Sequence, residues 1–196
     1  WLHTNPSAMM GALTASSMMA LGVAAVSSCC PFLLRRFPEN YILLGVLTIA
    51  ESMLVGFACL RYSTASILLC CGLTAAVVIG LTVFATRTKT DFTGFGPYLV
   101  SFLLVLTLFG LVLSMMASFH ATGFVFNGLE VLYAAGGALA ASVFLIFDTQ
   151  LILGGGHEHE FSIDDYVMAA LCVYLDVIQM FLSLLRLLGR SDDDGL

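Results

Sequence analysis

LIFDTQLILGGG, residues 145–156, and YLDVIQMFLSLL, residues 174–185, each set one aspartate inside an otherwise apolar run. An ionised carboxylate near the centre of a membrane helix costs about 2.5–3.5 kcal/mol on insertion scales, so Asp148 and Asp176 need a reason to be there. Whether these runs lie in a bilayer comes first. The chain has 196 residues, of which 60% are hydrophobic and 10% charged. A water-soluble globule of that length has too little interior to hide so much apolar surface. The chain therefore reads as an integral membrane protein with the lipid bilayer as its first partner.

A hydrocarbon core about 30 Å thick needs roughly 20 apolar residues in helix, and six such runs can be laid down, approximately 8–30, 41–60, 66–86, 98–118, 130–153 and 166–188. Only helices or a closed barrel can satisfy the backbone in lipid, and unbroken runs of this length point to helices. The expectation is an all-α polytopic bundle, a single transmembrane domain over residues 1–196, with six spans and short connections. Pro31 closes the first run, and Pro97 fits the first turn of the fourth after Gly94 and Gly96. Gly154, Gly155 and Gly156 end the fifth, while Ser162 with Asp165 reads as an N-cap and its acidic N3 partner. AAGGALAAS, residues 134–142, offers small side chains where another helix can approach closely.

Basic residues set orientation. Arg35 and Arg36 fall in the first connection and Arg87 and Lys89 in the third, which places both on the cytosolic side. The C-terminus, with Arg186 and Arg190, then falls on the opposite side against the same rule, and its side stays open. The chain begins at Trp1 with no initiator methionine and no leader pattern, so a segment upstream is expected to be missing.

The net charge of −6 owes much to Asp192, Asp193 and Asp194 and to HEHE at 157–160, which argues against nucleic acid as a partner. Six cysteines lie within or at the ends of apolar runs, not spaced through loops as a disulfide framework or zinc site needs. Cys29 and Cys30 beside Arg35 and Arg36 fit either acylation or plain burial. HEHE lacks the H-E-x-x-H spacing, and alternate residues do not share a helix face, so it reads as a solvated loop. No nucleophile elbow or phosphate loop appears, and the expectation is a protein that is not an enzyme and holds no resident cofactor.

The last two helices are joined by one connection and so run antiparallel. At about 1.5 Å of rise per residue the two carboxyls lie roughly 9 Å and roughly 15 Å in from that connection, a gap that tilt and side-chain reach can close. Two carboxyls brought together in a low dielectric do not both ionise cheaply, so Asp148 and Asp176 are expected to share one proton and titrate as a coupled pair. Such a pair is a proton-controlled latch. Gln150 and Gln179 are nearby candidate donors to the carboxylates, although Gln150 fits a neighbouring helix equally well. Glu51 is a third carboxyl within a span, placed either in the same cavity or bonded to Ser52, Thr48 or another helix. Glu130 and Arg186 lie near run ends, where they can reach the interface.

TKTDFTGFGPYL (88–99), FDTQLIL (147–153), YVMAALCVYLDVIQMF (166–181) and CCPFLLRRFPEN (29–40) together resemble the transmembrane Bax inhibitor motif family, most closely its lifeguard branch. The resemblance covers nearly the whole chain. It implies a seven-helix bundle lacking its first helix here, with residue 1 in the loop that follows. It also implies that Asp148 and Asp176 form a pH-sensitive site associated with calcium leak, as transient calcium ligands, and that the protein suppresses cell death from the endoplasmic reticulum, Golgi or another internal membrane. The acidic HEHE loop departs from the family pattern. Calcium enters as permeant ion. Two other classes compete: an interaction protein that modulates death signalling through membrane partners without conducting, and an intramembrane aspartyl protease, whose G-x-G-D sequence neither LIFDTQ nor YLDVIQ matches.

Overall fold

A computed structural model describes residues 36–119, 124–154 and 165–190. Among them are five α-helices: α1 (Glu39–Cys59), α2 (Thr64–Arg87), α3 (Gly96–Ser118), α4 (Phe124–Leu153) and α5 (Tyr166–Leu188), with a 3-10 turn, Thr93–Phe95, leading into α3. No β-strand occurs among the described residues. All five helices are long and apolar enough to cross a bilayer, which makes this a multi-pass integral membrane protein. The predicted span at 8–30 lies outside the described residues, as do Cys29 and Cys30, the HEHE loop, Ser162 and the acidic tail.

Four helices match their predicted runs to within two residues at each end, and α4 does not. It begins at Phe124 instead of 130, because Phe124, Val125 and Phe126 extend the apolar run and the Asn127-Gly128 pair leaves the helix unbroken. Those two residues cost a water-exposed helix roughly 1–2 kcal/mol, but a backbone in lipid has no water to turn to instead. At the other end Gly154 takes φ 56 and its N–H donates to the Gln150 carbonyl at 3.2 Å, a left-handed glycine stop. Pro97 occupies the second position of α3, where its missing N–H would have no intrahelical partner anyway.

Seven hydroxyls inside the spans are satisfied within their own helices. Thr48, Ser52, Thr74, Ser101, Thr107, Ser142 and Thr149 each donate to the carbonyl four residues back, at 2.6–2.8 Å. A donor in hydrocarbon must be bonded, and this bond needs no second helix.

The chain divides into two compact units. The first holds α1 and the start of α5 to Leu171; the second holds α2, α3, α4 and the rest of α5, Cys172–Arg190. In the first, Asn40 is fully buried, its Nδ2 donating to Tyr166 Oη at 3.0 Å and its Oδ1 accepting from the Tyr41 N–H at 2.9 Å. The rings of Tyr41 and Tyr166 lie 6.3 Å apart beside it.

In the second unit α4 is central, packed against α2, α3 and the 3-10 turn. Its contacts with α5 step in opposite directions along the two helices: Ser142 with Met180, Gly137 with Ser183, Tyr133 with Arg186. That order makes the pair antiparallel. The small residues of 134–142 let neighbouring side chains close on the α4 backbone, since a Cβ on Gly137 would stand 2.7 Å from Ser183 Oγ and one on Gly136 would stand 2.9 Å from Leu106 of α3. Ala134, Ala140 and Ala141 are buried in the same stretch. Leu68, Leu69 and Ile79 on α2 and Leu104, Val105 and Leu111 on α3 stay exposed, as lipid-facing side chains do.

Candidate functional site

Asp148 lies on the penultimate turn of α4 and Asp176 near the middle of α5. The antiparallel ladder carries them to the same level, and their carboxyls lie within side-chain hydrogen-bonding reach of each other. A carboxylate only accepts, so a hydrogen bond between two carboxyls requires one of them to carry a proton. Without it, two like charges stand within a few ångströms of each other in a low dielectric. The geometry therefore ties the contact of two helices to the presence of one proton.

Asp148 is 6% exposed and Asp176 half-buried. Asp176 Oδ2 is enclosed and has no hydrogen-bond partner among the described residues. Leu145 and Ile146 precede Asp148 and are both buried, so the pair sits at the edge of an apolar core. Cys172, one turn before Asp176 on the same helix, lies within electrostatic reach of both carboxyls.

The other candidates go elsewhere. Gln150 is fully buried but serves neither carboxylate: its Oε1 accepts from the Phe92 N–H at 2.7 Å and its Nε2 donates to the Thr90 carbonyl at 2.9 Å. It clamps the α2–α3 connection because, two residues beyond Asp148, it is turned about 160° away from it around the helix. Gln179 is exposed and donates to Ser183 at 3.4 Å, against Gly137. Glu51 is half-buried on α1 in the first unit. Neither hydroxyl proposed for it is its partner, since Thr48 and Ser52 both donate to backbone carbonyls. Arg186 stands 5.6 Å above the Tyr133 ring, a cation–π contact between α5 and α4.

Sequence reasoning placed the α2–α3 connection but missed the bonds that fold it. Asp91 Oδ1 accepts from the Thr93 N–H at 2.8 Å and from Thr93 Oγ1 at 2.6 Å, which folds residues 91–95 into the turn that starts α3. An Asp two residues before a Thr is a readable Asx-turn signal. Phe147 packs on the backbone of Gly96, where a Cβ would meet its ring at 3.5 Å. Nothing in the sequence signals that contact or the Gln150 clamp.

No group of three or more His, Cys, Asp or Glu side chains gathers into a metal cage among the described residues. Two carboxyls alone leave a divalent cation most of its six to eight oxygen ligands to find in water or backbone.

The sequence matches the family model Bax1-I, described as inhibitor of apoptosis-promoting Bax1, over residues 1–193. It is similar to Protein lifeguard 3 of Homo sapiens, 37% identical over 164 residues that make up 84% of the chain and 51% of that protein. The mouse Protein lifeguard 3 is 34% identical over 165 residues, 84% of the chain and 52% of its own length. Protein LIFEGUARD 2 of Arabidopsis thaliana is 36% identical over 171 residues, 81% of the chain and 62% of its own length. The chain spans about half the length of the mammalian relatives.

Proposed function

Because the chain belongs to the Bax1-I family, inhibitor of apoptosis-promoting Bax1, we propose that it is a calcium leak channel of an internal membrane whose gate is the proton shared by Asp148 and Asp176. The observation that carries the proposal is the hydrogen-bond contact of two carboxyls from two antiparallel membrane-spanning helices. While the proton is held, the bond draws α4 and α5 together and the path is closed. When it leaves, the like charges part the helices, and up to four carboxylate oxygens, the enclosed Asp176 Oδ2 among them, become acceptors suited to a hard cation. On this proposal the chain conducts and catalyses no covalent step. Suppression of cell death from the endoplasmic reticulum or Golgi follows from a lowered calcium load in those stores.

The test is calcium flux through the purified protein in vesicles across a pH series, with Asp148→Asn and Asp176→Asn alongside. Flux and pH response unchanged in both variants defeat the proposal. The family's description also favours a second role, a membrane interaction protein that restrains death signalling without conducting. In that case the aspartate variants lose abundance and partner binding together, and the purified protein carries no calcium.

A further inference from the structure

The turn of α4 that carries Asp148 is held on two sides. Asp148 meets Asp176 of α5. Phe147 and Gln150, three residues apart and so on a shared face, hold the connection between α2 and α3 in its middle and where it enters α3. Gln150 takes the Thr90 carbonyl and the Phe92 N–H, and Phe147 lies on Gly96. The connection is itself stiff, because Asp91 fixes Thr93 and the 3-10 turn packs on α4. A buried amide that is bonded at both ends leaves this turn little freedom to rotate or slide without breaking a bond.

We propose that the α2–α3 connection is a strap on the carboxyl pair and that Gln150 is a positioning residue, fixing through Thr90 and Phe92 where Asp148 can meet Asp176. The inference rests on the pair being the gate. Separation of α4 from α5 then has to strain or release the strap, and release of the strap lets Asp148 move from Asp176.

Two measurements on the full chain in lipid nanodiscs or vesicles at one fixed pH test this. The first is NMR-resolved hydrogen exchange of the Phe92 amide, whose acceptor is Gln150. Asp176→Leu, which leaves every strap residue in place, is expected to raise exchange at Phe92 about tenfold while the Gly189 amide, bonded to Leu185, stays unchanged. Exchange at Phe92 within about twofold of the parent overturns the strap. The second is calcium flux in a double-mutant cycle. Gln150→Met is expected to change flux in the parent and to have no effect when Asp148 and Asp176 are both Leu, which cannot hydrogen-bond to each other. The same factor in both backgrounds makes Gln150 merely structural and overturns its positioning role. If the parent carries no calcium, the leak proposal fails by itself, and the Phe92 exchange decides the strap alone.

Discussion

A methyl group on Gly137 would stand 2.7 Å from Ser183 Oγ and 3.3 Å from Gln179 Nε2, so α4 and α5 touch there at glycine distance. Alanine is accommodated if the Ser183 hydroxyl rotates away from Gln179. Leucine is not, because Ser183 is 3% exposed and has nowhere to retreat. Gly137→Leu should therefore cost about 1–3 kcal/mol and lower the melting temperature in detergent, while Gly137→Ala costs less than half as much. Equal melting of the two variants would mean that the helices do not approach at this residue.

Asp91 holds the start of α3 through one oxygen that accepts two hydrogen bonds from Thr93. Asp91→Ala removes both and should destabilise by about 0.5–2 kcal/mol, with faster proteolysis between residues 88 and 95. Asp91→Asn keeps a carbonyl oxygen in the same place. Its loss should be clearly the smaller of the two, and a ranking in the other direction would show that charge rather than the turn matters.

Within the first unit, Tyr166→Phe removes the hydroxyl that accepts from Asn40 Nδ2 at 3.0 Å. Asn40 has no exposed surface, so its amide is left without an acceptor, at a cost of about 1–3 kcal/mol. Adding Asn40→Leu to the same chain takes away the orphaned donor and should recover part of the stability. Thermal unfolding of the two variants side by side reads this directly.

Five of the spans were legible because lipid makes polarity expensive: apolar length marks each helix, and the acids within them, Asp148 and Asp176, stand out by cost. Helix ends were legible where chemistry marks them, at Gly154 and Pro97, and less so at Phe124, where apolar residues extend the helix past an Asn-Gly pair. Gln150 illustrates what sequence conceals. Its partners are the main-chain atoms of Thr90 and Phe92, about sixty positions away, and every residue carries the same main-chain groups. Only the fold says which carbonyl and which N–H a buried amide meets. For Glu51 only the hydroxyl partners drop out, because Thr48 and Ser52 already donate to carbonyls one turn behind them in α1.

The sign of the pH response follows from which protonation state the Asp148–Asp176 contact needs. On the proposed gate, the carboxyls bond and the leak is closed for as long as the pair holds a proton. As pH rises the proton leaves, and two carboxylates about 4 Å apart repel by roughly 4 kcal/mol at an effective dielectric constant of 20. That is enough to separate a helix contact whose hydrogen bond has just been lost, so calcium flux should rise with pH by about tenfold or more. Asparagine at position 148 changes the logic, because its amide donates to the remaining carboxylate whether or not a proton is available. Asp148→Asn, and Asp176→Asn by the same argument, should hold the contact at every pH and flatten the response to less than about twofold. Release of calcium from dye-loaded vesicles measures this. A steep rise with pH that survives in both variants would place the gate at some other group.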